Sequence, residues 1–399
     1  MFSRDHLERY ADVLLWALKT AKKKPLKKKD VIQIQYDREA LSLAEVLFAR
    51  LIDLGLHPVQ KMSMTSNMEK SFFSKANDDQ LSFIAPGERQ FFSGISGRIY
   101  LCGPDSLTHL KGADPEKISR AIVARKSIKD LLNKREEKGV YSWTLCVMPT
   151  RELARQAKMS LKQYTEQIIK GCYLDRQDPV AQWKDLHRQI QDIKKWLTSL
   201  PVKNLHVESA HIDLRITPGE KRKWAGVSGH NMPSFEIFLS PDWRGTEGVY
   251  FANLPSFRSG NYVENIRVEF VRGEAVRIEA GRGEAFLRKQ LAMDPGARRV
   301  GEFSLTDKRF SRIDRFMAET LFDENFGGDQ GNCHLAFGSS YSDTFRGDPA
   351  RLTEAMKKQL GFNDSALHWD IINTERKTVT AHLRNGKRMI VYDNGVFKV

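Results

Sequence analysis

The segment SALHWDIINT (365–374) sets His368 and Asp370 two residues apart within an apolar run. In a β-strand, residues i and i+2 share a face, so imidazole and carboxylate would point together while Trp369 and Ile371 point the other way. Two polar groups on one face of a buried strand need a partner, and a metal ion can satisfy both. Taken alone, a hydrogen-bonded His–Asp couple at a strand end explains the pair better than a metal site does, so further ligands decide between them. FDENFGGDQGNCHLAFGSSY (322–341) places Asp323, Glu324, His334 and Tyr341 around a Gly-rich loop. RVGEFSL (299–305) carries Glu302 as its one acid, and NMPSFEIFLSP (231–241) carries Glu236 inside an otherwise apolar strand. Carboxylates with imidazoles suit Zn2+, Co2+ or Mn2+ rather than a structural thiolate site. Many oxygens with few histidines suit two divalent ions better than one, because a carboxylate can bridge the pair.

A second constellation tests this reasoning. LHVESAHIDLRI (205–216) holds His206, Glu208, His211 and Asp213, again at i, i+2 spacing. Spacing alone does not separate it from His368 and Asp370.

The elements that must position these residues fall into two textures. Residues 1–200 read as an α/β domain with a mostly parallel sheet and a helical connector. The strands are DVIQIQY (30–36), HPVQKMSM (57–64), GRIYLCG (97–103) and YSWTLCVMP (141–149). Helices are expected over 38–56 and 114–139, each closed near a glycine. The polar stretch from 150 to 200 reads as helical. Residues 201–399 change to short, turn-punctuated, β-branched segments, the pattern of a β-rich α+β domain. Helices are expected there near 311–321 and over 348–361. The candidate ligands all lie in this second half.

Composition narrows the function classes. The chain has 399 residues, 41% hydrophobic and 29% charged, enough for a large core. No apolar run is long enough to span a membrane. The first residues, MFSRDHLERYADVLLWALKTAKKK, read as an amphipathic helix rather than a signal peptide. Four scattered cysteines without a CxxC point to a reducing, cytoplasmic setting. The net charge is +14, and the densest basic run is KTAKKKPLKKKD (19–30). It lies in one connection, not interleaved with aromatics along a face, and no nucleic-acid-binding motif accompanies it. We read it as a solvated loop and expect no nucleic-acid partner. No Walker motif or dinucleotide fingerprint follows a strand.

Most of the chain, diffusely in the first half and specifically in the second, resembles the thermophilic-type metalloaminopeptidases, the aminopeptidase T and S group of peptidase family M29. The resemblance rests on Asn231, Pro233, Glu236, Phe238 and Pro241 in one strand, on Gly301–Glu302, and on Asp323–Glu324–Asn325. It continues through the CHLAFG segment from Cys333 to Gly338, through Tyr341, and through the His368–Asp370 pair. It implies Glu236, Glu302, Glu324, His334, His368 and Asp370 as metal ligands, Tyr341 beside the metals, and a structural role for the His206–Asp213 cluster. The sequence departs from the pattern at Phe235, where relatives carry a second acid, in a longer loop between Glu324 and His334, and in IINT after the last pair.

The implied activity is an aminopeptidase in which a hydroxide bridged by two divalent ions attacks the first peptide bond of a substrate with a free N-terminus. Tyr341 would donate to the developing oxyanion. Either Glu302 or Glu324 would shuttle the proton. The resemblance also implies a homodimer. The alternative reading is a non-catalytic basic protein of the same fold that binds nucleic acid or another polyanion.

Overall fold

The structure is a computed structural model that describes residues 2–399. Helix α1 (Arg4–Ala21) forms because Tyr10, Leu14, Leu15 and Leu18 fall on one face, and Ser3 caps it by accepting from His6 N–H at 3.2 Å. It packs on α2 (Leu41–Asp53) and on the sheet of β1 (Val31–Tyr36), β2 (His57–Met62), β3 (Gly97–Cys102) and β4 (Ser142–Val147). These four strands run parallel in the order β2-β1-β3-β4, as expected. The lysine-rich run is the connection from α1 to β1. Lys22 is buried there and Lys23 pairs with Asp348 at 3.5 Å, while Lys24, Lys27, Lys28 and Lys29 are exposed.

The parallel half contains more helix than expected. Three short helices, α3 (Ser66–Lys75), α4 (Asp78–Ser82) and α5 (Glu88–Gly94), fill the β2–β3 crossover. The helix expected over 114–139 is two, α6 (Pro115–Ala124) and α7 (Lys126–Glu137). The chain turns at Arg125, whose guanidinium is drawn to Glu88 of α5. The stretch from 150 to 200 is α8 (Arg151–Gln156), α9 (Leu161–Gly171) and α10 (Pro179–Ser199).

After α10 the chain turns to antiparallel strands: β5 (Val202–Glu208), β6 (Asp213–Ile216), β7 (Glu236–Leu239), β8 (Glu247–Ala252), β9 (Ser256–Arg258), β10 (Asn261–Val263), β11 (Ile266–Val271) and β12 (Glu274–Glu279). Helix α11 (Glu284–Gln290), β13 (Val300–Thr306), α12 (Thr320–Asp323), β14 (Asn332–Gly338) and α13 (Glu354–Leu360) follow. β15 (His368–Asn373), β16 (Thr378–Leu383), β17 (Arg388–Asp393) and β18 (Val396–Phe397) complete the chain. One eight-stranded sheet has the order β12-β11-β8-β6-β5-β16-β17-β18, and a four-stranded sheet has the order β15-β14-β13-β7. All residues of β13 and β14 are buried. The Tyr250 hydroxyl of β8 donates to Ile371 O at 2.8 Å, joining the two sheets.

Two helix expectations in this half need correction. Residues 311–319 are not helical; α12 spans only Thr320–Asp323. The buried Asp323 carboxylate takes the N–H groups of Met317 and Glu319 at 2.7 and 3.0 Å, bending the chain around it. Over 348–361, a 3-10 turn at Pro349–Arg351 precedes α13, because Thr353 caps the helix anew by accepting from Met356 N–H.

Candidate metal centre

The four-stranded sheet collects the acids and imidazoles from distant segments. Glu236 opens β7, Glu302 lies on β13, His334 on β14, and His368 and Asp370 on β15. His334 Nε2 lies 3.1 Å from Glu302 Oε1, 3.3 Å from Glu236 Oε2 and 3.9 Å from Asp370 Oδ1. His368 Nε2 lies 3.4 Å from Asp370 Oδ1 and 3.7 Å from Glu302 Oε2. Glu324, just past α12, joins from below: one ligand atom each of Glu324, His334 and Asp370 lie within 4.8 Å of one another, as do those of Glu236, Glu302 and His334. Tyr341 stands over the cluster with its ring centroid 4.7 Å from that of His368. All the site residues expected from sequence therefore meet.

Supporting groups orient these side chains. Gly301 sits in a bulge of β13 opposite β14, where an added Cβ would collide with the carbonyl oxygens of Gly338 and Ser339. Ser339 O takes His368 Nδ1 at 2.9 Å, which turns Nε2 toward the carboxylates. Asn231 Nδ2 donates to Glu324 Oε1 at 2.9 Å, and Ser304 Oγ donates to Glu236 Oε2 at 3.2 Å. Ser304 was missed in the sequence, although its i+2 spacing from Glu302 places it on the same strand face. The role of Asn231 carried no local signal, because its partner is 93 residues away. Phe235 turns to the opposite side and packs on Trp183, with ring centroids 5.3 Å apart, so no second acid enters from this position.

The His206 constellation lies elsewhere. His206 bonds Asp213 at 2.7 Å, and His211 pairs with Glu375. Asp213 is 79% exposed while His334 is 1% exposed. Among the described residues it contributes to neither candidate metal group.

The electrostatics mark the inner cluster as unusual. Burial, reinforced by the neighbouring Glu302 charge, pushes Glu236 up to about 8. Burial also holds Glu302 and Glu324 well above the ordinary carboxylate range. Burial acts to raise Asp370 too, but His368, His334 and Arg258 outweigh it and hold Asp370 at about 2. Burial acts to lower His368, and Asp370 with Glu302 raises it. Four carboxylates thus face two imidazoles, and among the described residues no lysine or arginine pairs with any of the four. Buried acids left this way are costly unless protons or cations neutralise them. The donor set fits divalent metal: oxygens and imidazoles converge, burial raises three of the four acids so that a cation would compete with protons there, and His368 presents a fixed Nε2.

An oxygen-rich, imidazole-containing cluster of this kind is a donor set suited to a divalent metal, and similarity to known proteins places the chain among metal-dependent hydrolases. The sequence profile of the thermophilic metalloproteases (M29) matches residues 3–397. Aminopeptidase T of Thermus thermophilus is 30% identical over 330 residues, 78% of each chain. Aminopeptidase PepS of Streptococcus thermophilus is 25% identical over 389 residues, covering 91% of this chain and 92% of its own. The solved structure of wild-type AmpT from Thermus thermophilus shares the fold, with a TM-score of 0.79 at 24% identity over 99% of each chain. The chain belongs to the M29 aminopeptidase family.

Proposed function

We propose that this protein removes the N-terminal residue of peptides at a centre of two divalent ions held by Glu236, Glu302, Glu324, His334, His368 and Asp370. The observation that carries the reading is the meeting of Glu236, Glu302 and Asp370 around His334 Nε2 at 3.1 to 3.9 Å. Zn2+, Co2+ or Mn2+ bound there would acidify a shared water to a bridging hydroxide and polarise the scissile carbonyl.

The chain's own groups account for the remaining requirements. With Zn2+, Co2+ or Mn2+ in place, one ion would be available to hold the substrate's free α-amine, which favours cleavage at the first residue. Glu302 and Glu324 bind protons more tightly than an exposed carboxylate because they are buried, which suits either to proton transfer. The Tyr341 hydroxyl, kept protonated by burial, is available to donate to the oxygen that develops charge. Four unpaired thiols support a reducing, cytoplasmic setting. No helix among the described residues is long and apolar enough to cross a membrane. A homodimer belongs to the same reading, supported by Phe48, Ile52, Val59 and Met62, exposed on α2 and the edge strand β2. The polyanion-binding alternative rests on the same lysine run, most of which is exposed, and salt-sensitive retention on a polyanion column without turnover would favour it.

Amino-acid p-nitroanilides test the proposal. Hydrolysis should be abolished by chelator and restored by Co2+ or Zn2+. Glu236→Gln and His334→Ala should lose both metal and turnover; full metal content and full activity in both variants would refute the site.

A further inference from the structure

Two cations without carboxylate partners stand beside the cluster. Lys129, on α7 of the parallel half, donates from Nζ to Ser365 O and Ala366 O at 3.4 Å each. Arg258, at the end of β9, donates from Nη1 to His368 O at 2.8 Å, and its guanidinium lies 5.3 Å from the Trp369 ring centroid. Both therefore converge on the residues that lead into β15, the strand bearing His368 and Asp370. Neither makes an ion pair among the described residues, whereas neighbouring Lys126 pairs with Asp130 at 2.9 Å and Asp364 at 3.0 Å. Arg258 Nε is buried with no hydrogen-bond partner. Burial, and then the nearby Arg258 charge, push Lys129 down to about 8.

Carbonyl oxygens orient these cations, and the acids nearest them, Asp370 for Arg258 and Asp130 with Asp364 for Lys129, act on them without forming an ion pair. Two poorly hydrated positive groups kept close together are unfavourable until an anion joins them. They also repel an α-ammonium, so they do not serve the N-terminal end of a peptide. In a short peptide the other fixed charge is the carboxylate at the far end.

We propose that Lys129 and Arg258 form a carboxylate-binding subsite for the leaving side of the substrate, which makes short peptides with a free C-terminus better substrates than their amides. The inference rests on the aminopeptidase reading. The carboxylate can be the C-terminus of a dipeptide or tripeptide, or an acidic side chain at the second position. Both present the same planar oxygen pair, which a guanidinium and an ammonium bind with charge-assisted hydrogen bonds.

The test compares kcat/KM for Leu-Gly with Leu-Gly amide, and for Leu-Asp amide with Leu-Asn amide. The first pair reads the main-chain carboxylate and the second the side chain. In the native protein at least one pair should favour the acid by roughly tenfold, expressed in KM. Lys129→Met should bring that ratio toward one, and Lys129→Arg should restore it. Lys126→Met, which removes an equal charge from a lysine already paired, should leave the ratio as it was. Arg258→Gln removes a carbonyl bond as well as a charge, so Lys129→Met decides. Thermal shift of the metal-free protein supplies a readout without turnover: Leu-Gly should stabilise it more than the amide, and Lys129→Met should erase the difference. Leucine p-nitroanilide, which has no carboxylate, reports on the aminopeptidase reading separately. Ratios of one in both pairs, ratios indifferent to Lys129→Met, or a charge effect confined to aspartyl and glutamyl p-nitroanilides would each overturn the subsite.

Discussion

Glu302 Oε1 lies 3.1 Å from His334 Nε2, although the two residues are not opposite one another across β13 and β14. Glu302 faces Ala336 and His334 faces Ser304. The contact is diagonal, and it passes over two small side chains. Ala336 also faces Asp370 across β14 and β15, so it separates two acids of the cluster in one row of the sheet.

That row makes Ala336 a spacer. Ala336→Leu should fill the room in which the ligand atoms meet. We expect metal content and turnover to fall together, with a stability loss of about 1–3 kcal/mol from overpacking. Metal analysis beside denaturant unfolding measures both; a folded variant with full metal would refute the spacer role.

Gly301 should tolerate no side chain. A Cβ there meets the backbone oxygens of Gly338 and Ser339, neither of which can move alone. Gly301→Ala should cost about 2 kcal/mol or more and displace Glu302. Urea unfolding with a turnover assay checks this, and a silent substitution would show that the bulge does not position the acid.

Asn231 should matter through Glu324 alone. Its Nδ2 donates to Glu324 Oε1 at 2.9 Å. Asn231→Ala should weaken metal binding by roughly 10- to 100-fold, the usual range for an outer partner of a ligand. Competitive metal titration against a chelating dye gives the constant; an unchanged value would remove Glu324 from the ligand set or Asn231 from its support.

The metal-free protein should lose stability as pH rises through neutrality. Glu236 is raised from 4.5 to about 8, and Glu302 and Glu324 are raised as well. A carboxyl with a raised folded pKa leaves the native state holding more protons than the unfolded chain. Its stabilising contribution is therefore complete below about 4.5 and is lost between there and about 8. Asp370, lowered from 3.8 to about 2, acts in the opposite sense, but only in acid below that window. Tm of the chelated protein should fall from pH 5 to pH 8, and added Zn2+ or Co2+ should raise it most at pH 8. A Tm independent of pH and metal would contradict a buried, uncompensated cluster.

The outer constellation should be expendable. His206→Ala with His211→Ala removes two histidines whose partners are largely solvent-exposed or part-exposed. Metal content and turnover should stay unchanged, and stability should move by no more than about 1 kcal/mol. Loss of metal in that double variant would move the centre.

Much of this was legible locally. Glu236 and Glu302 stood out because an acid inside an apolar strand needs a reason, and His368 with Asp370 because i and i+2 share a face. The four parallel strands followed from short apolar runs alternating with helical periodicity. Other features were hidden because their causes are non-local. The helix expected over 311–321 dissolves around the Asp323 carboxylate, and the long helix after 114 divides at Arg125. Lys129 and Arg258 looked like two ordinary basic residues among 64.

The sequence by itself determined which side chains carry oxygen and imidazole donors, which of them share a strand face, and, through its motifs, membership in a metallopeptidase family. Local spacing and chemistry did not distinguish His206 and Asp213 from His368 and Asp370; only the resemblance in the motifs favoured the second pair. Tertiary structure made that distinction. Pairing of β7, β13, β14 and β15, with α12 beneath them, buries one set where charges reinforce each other in a poorly polarisable interior. The other set remains on the eight-stranded sheet, where water and nearby partners satisfy each group one at a time.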